Sequence, residues 1–571
     1  MALYFTQYYL DCLSHASYLV GDTDSGSAVV VDPQRDVGEY LADAAANGLT
    51  ITKIIETHFH ADFLSGHLEL AAATGADIVY GNAAAGRVEF PIETHVDGEH
   101  ISLGSVDLEI LETPGHTPEA ISVVIRPDGP EGVPFGVLTG DTLFIGDVGR
   151  PDLLSAVGFN AEDLARQLYH SLHEKLLVLP DDTKVLPAHG AGSSCGKNLS
   201  TETISTIGEQ RRTNYALQPM VIEDFVDAVT QGQSVAPLYF LFAATKNREA
   251  RPPRATDVDV PQLTLEEVLN HQTAGAVVID SRDDLMFAGG HLRGSINVGL
   301  SGRFAEYVGA VMEPGTPIIL VCDQGTEAEA VTRLARIGFD NVLGALAEPL
   351  AVFVEHPEAV EQLSRLSVEQ LAERMASVKD LVVIDVRNSG ETALGVLPGA
   401  RTISLHALLR SLGELDPAAP TVVNCAGGYR SAIASSLLRS QGFTDVSDLL
   451  GGYTAWSSSN IPASLPSVAV TEVEAMSDAL LLDVRENEEW EAGHIEGARH
   501  IPMNELANVI DTFDQHQRVI VICRSGNRSG KVTAWLRQQG FGAFNMVGGM
   551  QAWETQGFPM ASLGEATPSV L

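Results

Sequence analysis

A chain of 571 residues exceeds what one hydrophobic core organises and implies several domains, while 45% hydrophobic and 19% charged residues exclude wholesale disorder. Subtracting 75 acidic from 35 basic side chains leaves a net charge of −40, which repels phosphate backbones and anionic lipid and argues against nucleic-acid and membrane-surface partners. Cys12, Cys195, Cys322, Cys425 and Cys523 are too scattered for a disulfide framework; with no signal-like start and no apolar run near the ~20 residues that span a bilayer, the expectation is a cytoplasmic protein.

Residues 1–245 alternate apolar runs with amphipathic stretches. SAVVVDP, ITKIIETH and GVLTGDTLF read as strands, DVGEYLADAAANG and NAEDLARQLYHSLHEKL as helices with one apolar face. Directly after ITKIIE comes Thr57-His58-Phe59-His60-Ala61-Asp62-Phe63: two histidines and a carboxylate at a strand end, a pattern that converges on a metal ion. His116 in TPGHTP, Asp141 in LTGDTLF and His189 in LPAHGAG occupy similar strand ends. Hydrogen-bonded core histidines would explain one or two of these, not the whole set in this order.

The set resembles the metallo-β-lactamase superfamily, which implies an αββα sandwich. Hydrolases of that superfamily carry a histidine after the motif aspartate that helps hold a second metal. Here the position is Phe63, which cannot ligate, so a binuclear zinc site is disfavoured. In finer detail THFHADFLSGH (57–67), TPGHTP, GDTLFIGDVGRPDL (140–154) and HGAGSSCGKNL (189–199) resemble the persulfide dioxygenase branch. That resemblance implies one Fe(II) per chain on His58, His116 and Asp141, a two-histidine, one-carboxylate set that leaves adjacent positions open for substrate and O2. His60, Asp62 and His189 are then expected behind it, orienting ligands through hydrogen bonds. Arg150, in Gly149-Arg150-Pro151-Asp152, is expected either to bind the carboxylate of a thiol carrier such as glutathione or to pair with Asp152. Cys195 reads as a quiet small side chain rather than a sulfur carrier, and Cys12 as core.

After a charged, Pro-rich segment read as a linker (246–262), the chain repeats itself three times. An apolar strand ends in Asp-x-Arg at Arg282, Arg387 and Arg485; a Gly-rich turn follows (GHLRGSINV, GVLPGARTI, GHIEGARHI); a second apolar strand ends at Cys322, Cys425 and Cys523. The Asp-to-Cys separations are 42, 40 and 40 residues. Each copy alternates short β-branched runs with helical patterns, the signature of a small parallel α/β domain. Domains are expected at 1–245, 263–355, 366–463 and 467–562, with breaks near 355–366 and 463–468.

In Cys523-Arg524-Ser525-Gly526-Asn527-Arg528 a thiol sits between a strand and a helix, where backbone N–H groups and the helix dipole favour an anionic sulfur. This resembles the rhodanese loop Cys-x-x-Gly-x-Arg, as does Cys425-Ala426-Gly427-Gly428-Tyr429-Arg430. The resemblance makes Cys523 and Cys425 catalytic persulfide carriers, and Arg528 and Arg430 binders of an anionic sulfur donor. The first copy, Cys322-Asp323-Gln324-Gly325-Thr326-Glu327, has carboxylates where a cation is wanted and is expected to be degenerate and structural. His291, His494 and the Asp-x-Arg pairs read as fold-keeping.

The resemblances together imply oxidation of a thiol persulfide by O2 to sulfite, coupled to rhodanese transfer that interconverts persulfide, sulfite and thiosulfate; a homodimer is compatible with this. The alternative is a zinc-dependent, glyoxalase-II-like thioester hydrolase with rhodanese modules that only dock. A lactamase-fold nuclease is disfavoured by the net charge of −40.

Overall fold

The computed structural model describes residues 2–197, 199–254, 259–459, 467–476, 479–514, 517–562 and 568–570. The expected break at 463–468 lies mostly outside them, as do residues 255–258 of the expected linker. Two compact units are present: Met1–Ser367 with Ser377–Gly390 and Thr402–Gly452, and Val368–Ala376 with Glu391–Arg401 and Tyr453–Leu571.

The N-terminal domain is the expected αββα sandwich. Six strands, from Leu3–Leu10 to Glu93–His95, follow one another across the first sheet in sequence order. The second sheet runs in sequence order from His100–Ser102 to Ser205–Thr206. Successive side chains of a strand face opposite ways, and both faces here are apolar. Tyr18, Val20, Val29, Val31 and Ile55 meet Leu108, Ile110, Val123 and Leu138 between the sheets. Their neighbours Leu19, Val30 and Ile54 pack outward on Tyr40, Ala44 and Leu70. Tyr40 and Ala44 form an i, i+4 pair on helix Gly38–Ala46. On the opposite side Val124, Val137 and Val185 carry helix Ala161–His170 through Ala165 and Leu168. That helix is started by Asn160, whose side chain accepts from the N–H groups of Glu162 and Asp163.

The three C-terminal copies share one topology. In the first, parallel strands lie in the order Gln262–Leu263, Val342–Leu346, Ile318–Val321, Val277–Asp280 and Ile296–Asn297. The third repeats it as Ser467–Val468, Gly542–Met546, Arg518–Ile522, Leu480–Asp483 and Arg499–His500. The Asp-x-Arg pair tethers a strand end to the following turn. Arg282 donates to both oxygens of Asp280 and to the Gly290 carbonyl, and Arg485 does the same with Asp483 and Gly493. His291 stacks on Phe287 and His494 on Trp490, both at 3.7 Å, and each histidine Nδ1 donates to the carbonyl of the residue it stacks on.

Within the first unit the domains share a core. Leu13, Phe63 and Phe144 join Tyr239 and Phe240, then Phe304 and Val308 of the first copy and Ile433 and Leu437 of the second. The start of the segment read as a linker is docked, not free. Buried Asn247 donates to the carbonyls of His60 and Phe63, both at 2.8 Å, and accepts from the Ser65 N–H. Arg35 bonds Glu69 at 2.8 Å on its own domain and reaches Asp340 (2.6 Å) and the Ala335 carbonyl (3.0 Å) of the first copy. Arg35 and Glu69 are both buried; Arg251 also pairs with Glu69, so removing Arg35 takes away the link to Asp340 and the Ala335 carbonyl and leaves Glu69 one cation. Losing these charge-assisted hydrogen bonds, Arg35→Met is expected to cost about 1.5–3 kcal/mol and to lower the midpoint of the first unfolding transition; an unchanged midpoint would show that the Arg35 contacts are dispensable.

Candidate metal centre and sulfur-transfer loops

The metal-type residues sit where strands of both sheets end. Thr50–Ile55 runs into Glu56–Phe63, Asp107–Glu112 into Thr113–His116, Gly136–Gly140 into Asp141, and Lys184–Pro187 into His189. Donor atoms of His58, His116 and Asp141 lie within 4.8 Å of one another, all buried. Asp141 Oδ2 is 3.7 Å from His58 Nε2 and 3.5 Å from His116 Nε2.

Each of the three is oriented from behind. His116 Nδ1 donates to the Arg150 carbonyl at 2.9 Å, which leaves the Nε2 lone pair facing Asp141. His58 Nδ1 lies 2.9 Å from the Thr57 hydroxyl, which itself donates to Asp32 at 2.9 Å; the hydroxyl oxygen therefore accepts from His58. Asp141 Oδ1 accepts from His189 Nδ1, and His189 Nε2 reaches Asp62, both at 2.6 Å. Burial alone would push the His189 pKa down, but the two carboxylates raise it well above the usual range. Burial and the neighbouring imidazoles drive His58 well below that range, and burial lowers His116. Both face the centre as neutral donors. Burial would raise Asp141, yet the charge and hydrogen bond of His189 hold it down.

The fit to a metal ion follows from these valences. His58 Nε2 and Asp141 Oδ2 are buried and make no hydrogen bond, an arrangement that costs ~1–3 kcal/mol per group when uncompensated. Two neutral nitrogens and a carboxylate oxygen are the donor set that a divalent transition ion would relieve.

His60 does not join that set. Its Nε2 lies 3.0 Å from Asp32 Oδ1 and 3.7 Å from Glu56, and these carboxylates raise its pKa against the pull of burial. Asp62 and His189 form a separate group with Cys195. Cys195 is buried, and burial with the charges of Asp62 and Asp141 raises its pKa well above the usual thiol range. Phe63 fills the position of the missing histidine, 3.9 Å from the ring of His15 and 4.4 Å from that of His60. The guanidinium of Arg150 is taken by Asp152 through two 2.7 Å bonds. Cys12 is half-buried, with Arg336 Nη1 3.6 Å from its sulfur.

Sequence reasoning missed His15, Asp32, Glu56 and Asn247. His15 is buried with both ring nitrogens unpartnered, but a lone histidine in an apolar strand carries no motif. Asp32 had a faint signal: it ends the run SAVVVD and adopts φ +50°.

In the two Cys-x-x-Gly-x-Arg loops, Gly428 N donates to Cys425 Sγ at 3.1 Å and Gly526 N to Cys523 Sγ at 3.2 Å. Each glycine has positive φ, +113° and +97°, at the start of a twelve-residue helix. The serines after the loop arginines, which the motif does not name, also approach the sulfurs: Ser431 at 3.5 Å and Ser529 at 3.2 Å. Arg528 is held by Glu489 through bonds of 2.6 and 2.5 Å. In the first copy the helix starts later, at Glu327. Burial, with smaller contributions from Glu327 and Asp280, pushes the Cys322 thiol up to about 12.

Residues 10–189 match the metallo-beta-lactamase superfamily, and residues 264–347, 367–459 and 469–556 match the rhodanese-like domain. Bos taurus persulfide dioxygenase ETHE1, a mitochondrial protein, is 30% identical over 233 residues, 40% of this chain and 82% of that relative. A hydroxyacylglutathione hydrolase of Rhodospirillum rubrum is 34% identical over 231 residues, 40% of this chain and 80% of that relative. The crystal structure of a metallo-beta-lactamase from Staphylococcus aureus superposes with a TM-score of 0.55 at 33% identity, covering 60% of this chain and 99% of that one.

Two measurements check the site. His58→Ala, His116→Ala and Asp141→Ala should each lower bound metal about tenfold while His60→Ala keeps most of it, read by elemental analysis; equal losses in all four would merge the two groups. Cys322, neutral far above neutral pH, should resist iodoacetamide in the folded protein at about pH 8, and peptide mass mapping that finds it alkylated would contradict this.

Proposed function

The chain belongs to the metallo-β-lactamase superfamily, in a form that continues into three rhodanese-like domains, and we propose that it is an Fe(II)-dependent persulfide dioxygenase coupled to sulfur transfer. The reading rests on one observation above the others: His58, His116 and Asp141 converge, while Phe63 stands where a binuclear hydrolase has a ligand. The net reaction is RSS⁻ + O2 + H2O → RSH + HSO3⁻.

In this reading His58, His116 and Asp141 hold the ion. The Thr57–Asp32 pair and the Arg150 carbonyl keep both imidazoles in the ligating tautomer, and Asp62 acts on Asp141 through His189. Bound Fe(II) supplies the redox chemistry of sulfur–oxygen transfer, which side chains do not provide. Burial of the whole set keeps bulk water from the persulfide. Sulfite and a persulfide on Cys425 or Cys523 then exchange sulfur to give thiosulfate, or the reverse supplies persulfide. With Arg150 committed to Asp152, the thiol carrier is bound there only if Asp152 is displaced.

A zinc thioester hydrolase is the second reading, favoured by the hydroxyacylglutathione hydrolase relatives and by Asp62 and His189 standing beside Asp141. O2 uptake on glutathione persulfide by the iron-loaded full chain separates the two. Uptake is expected, to fall about a hundredfold or more in His58→Ala, His116→Ala and Asp141→Ala, and to persist in Cys523→Ser. Thioester cleavage by a two-zinc form without O2 uptake would replace this reading with the second.

A further inference from the structure

Charged side chains that neither centre uses gather at the start of helix Phe304–Val311 in the first rhodanese-like domain. Glu306 is buried and ion-paired with Arg303; its Oε1 lies 3.6 Å from Nε2 of buried His406, in the second rhodanese-like domain. Arg303 Nε and His406 Nδ1 are buried without hydrogen-bond partners, and polar groups out of water are costly unless matched. Tyr307 stands beside them, 6.2 Å from the His406 ring and 5.6 Å from Tyr429 of the Cys425 loop. Arg430 is within electrostatic reach of Glu306, Tyr307 and His406, as Cys425 is of Tyr307.

The same pair faces Asp62 and the His189 loop of the N-terminal domain. Arg303 and Glu306 line a cavity of about 10 Å³ together with Asp62, Ser193 and Ser194, and Asp62 is the carboxylate that holds His189. A Cβ at Gly192 would stand 3.0 Å from Arg303 Nη1, so this glycine of the His189 loop leaves room for the guanidinium. The cavity has room for one water and none for a larger anion.

We propose that Arg303, with Glu306 as its resting counter-ion and His406 alongside, is a gated binding station for a small oxosulfur anion passing between the metal pocket and the Cys425 loop. The proposal rests on the dioxygenase and sulfur-transfer reading above. Guanidinium groups bind oxyanions with two parallel hydrogen bonds, and the Glu306 carboxylate holds Arg303 in the anion's place. An incoming sulfite competes for the guanidinium and parts the pair. Burial pushes the Glu306 carboxyl up to about 7, so it takes a proton when its cation is claimed. At Cys425 the sulfite sulfur lone pair forms a bond to the terminal persulfide sulfur. The bond from that sulfur to Sγ breaks and its electron pair stays on Sγ: Cys–S–S⁻ + SO3²⁻ → Cys–S⁻ + S2O3²⁻, with no further oxidant or reductant. The first rhodanese-like domain, without a loop cation of its own, thus contributes the gate.

The test uses the iron-loaded full chain, glutathione persulfide, O2 and isotope-labelled sulfite in the medium. Without substitution, most thiosulfate should carry unlabelled sulfite made on the same molecule; Arg303→Gln should raise the labelled share about threefold or more. The share is read per thiosulfate formed, so a general loss of activity does not move it, and Arg303→Lys, which keeps charge but not the fork, is read the same way. Labelling at the bulk ratio in the unsubstituted protein, or equal labelling in the variant, overturns the proposal. Calorimetry of sulfite with metal-free Cys425→Ser, Cys523→Ser full chain is the second arm. Arg303→Gln should weaken one site about tenfold, and unchanged binding overturns the station. If the unsubstituted protein takes up no O2, the dioxygenase reading has failed and the calorimetric arm still decides the station.

Discussion

Asp141 must be paired on both oxygens to be tolerable as a buried charge, and it is hydrogen-bonded on only one. The His189 imidazole, itself between Asp62 and Asp141, fixes the carboxylate from behind and turns the second oxygen toward His58 and His116. Everything around the centre serves that geometry. Two sheets end there, a carbonyl and a hydroxyl set the histidine tautomers, and Asn247 holds the loop that carries His60 and Phe63.

The convergence of His58, His116 and Asp141 was legible because strand-end motifs place side chains by short-range rules: a His or Asp just past an apolar run points to the sheet edge whatever the rest of the chain does. The same reasoning lumped His60 with Asp62 and His189, since the sequence spacing is silent on which carboxylate each imidazole meets. The structure divides them: His60 turns to Asp32 and Glu56, whereas His189 turns to Asp62 and Asp141. Asn247 was illegible for the opposite reason. It lies in a charged, Pro-rich stretch whose composition reads as a tether, and its value comes from matching three backbone groups that are distant in sequence.

The repeats show which parts of a small α/β domain are geometry and which are chemistry. Asp-x-Arg and the stacked histidine recur where the strand end must be tied to its turn, in the first copy as in the third. The glycine that lets a backbone N–H reach the thiol recurs with a sulfur contact at Cys425 and Cys523. At Cys322 the surroundings instead keep the thiol neutral. The apolar interior of this copy is joined to those on either side of it within the first unit.

That shared interior changes what a domain boundary means here. Phe63 packs against His15 beside the candidate metal centre and, through the same ring, belongs to the apolar mass that continues into Tyr239, Phe304 and Ile433. A cut near residue 245 would respect the sequence families yet leave that mass facing water. In this chain the join after the lactamase-fold portion is therefore a buried contact surface as well as a change of sequence family.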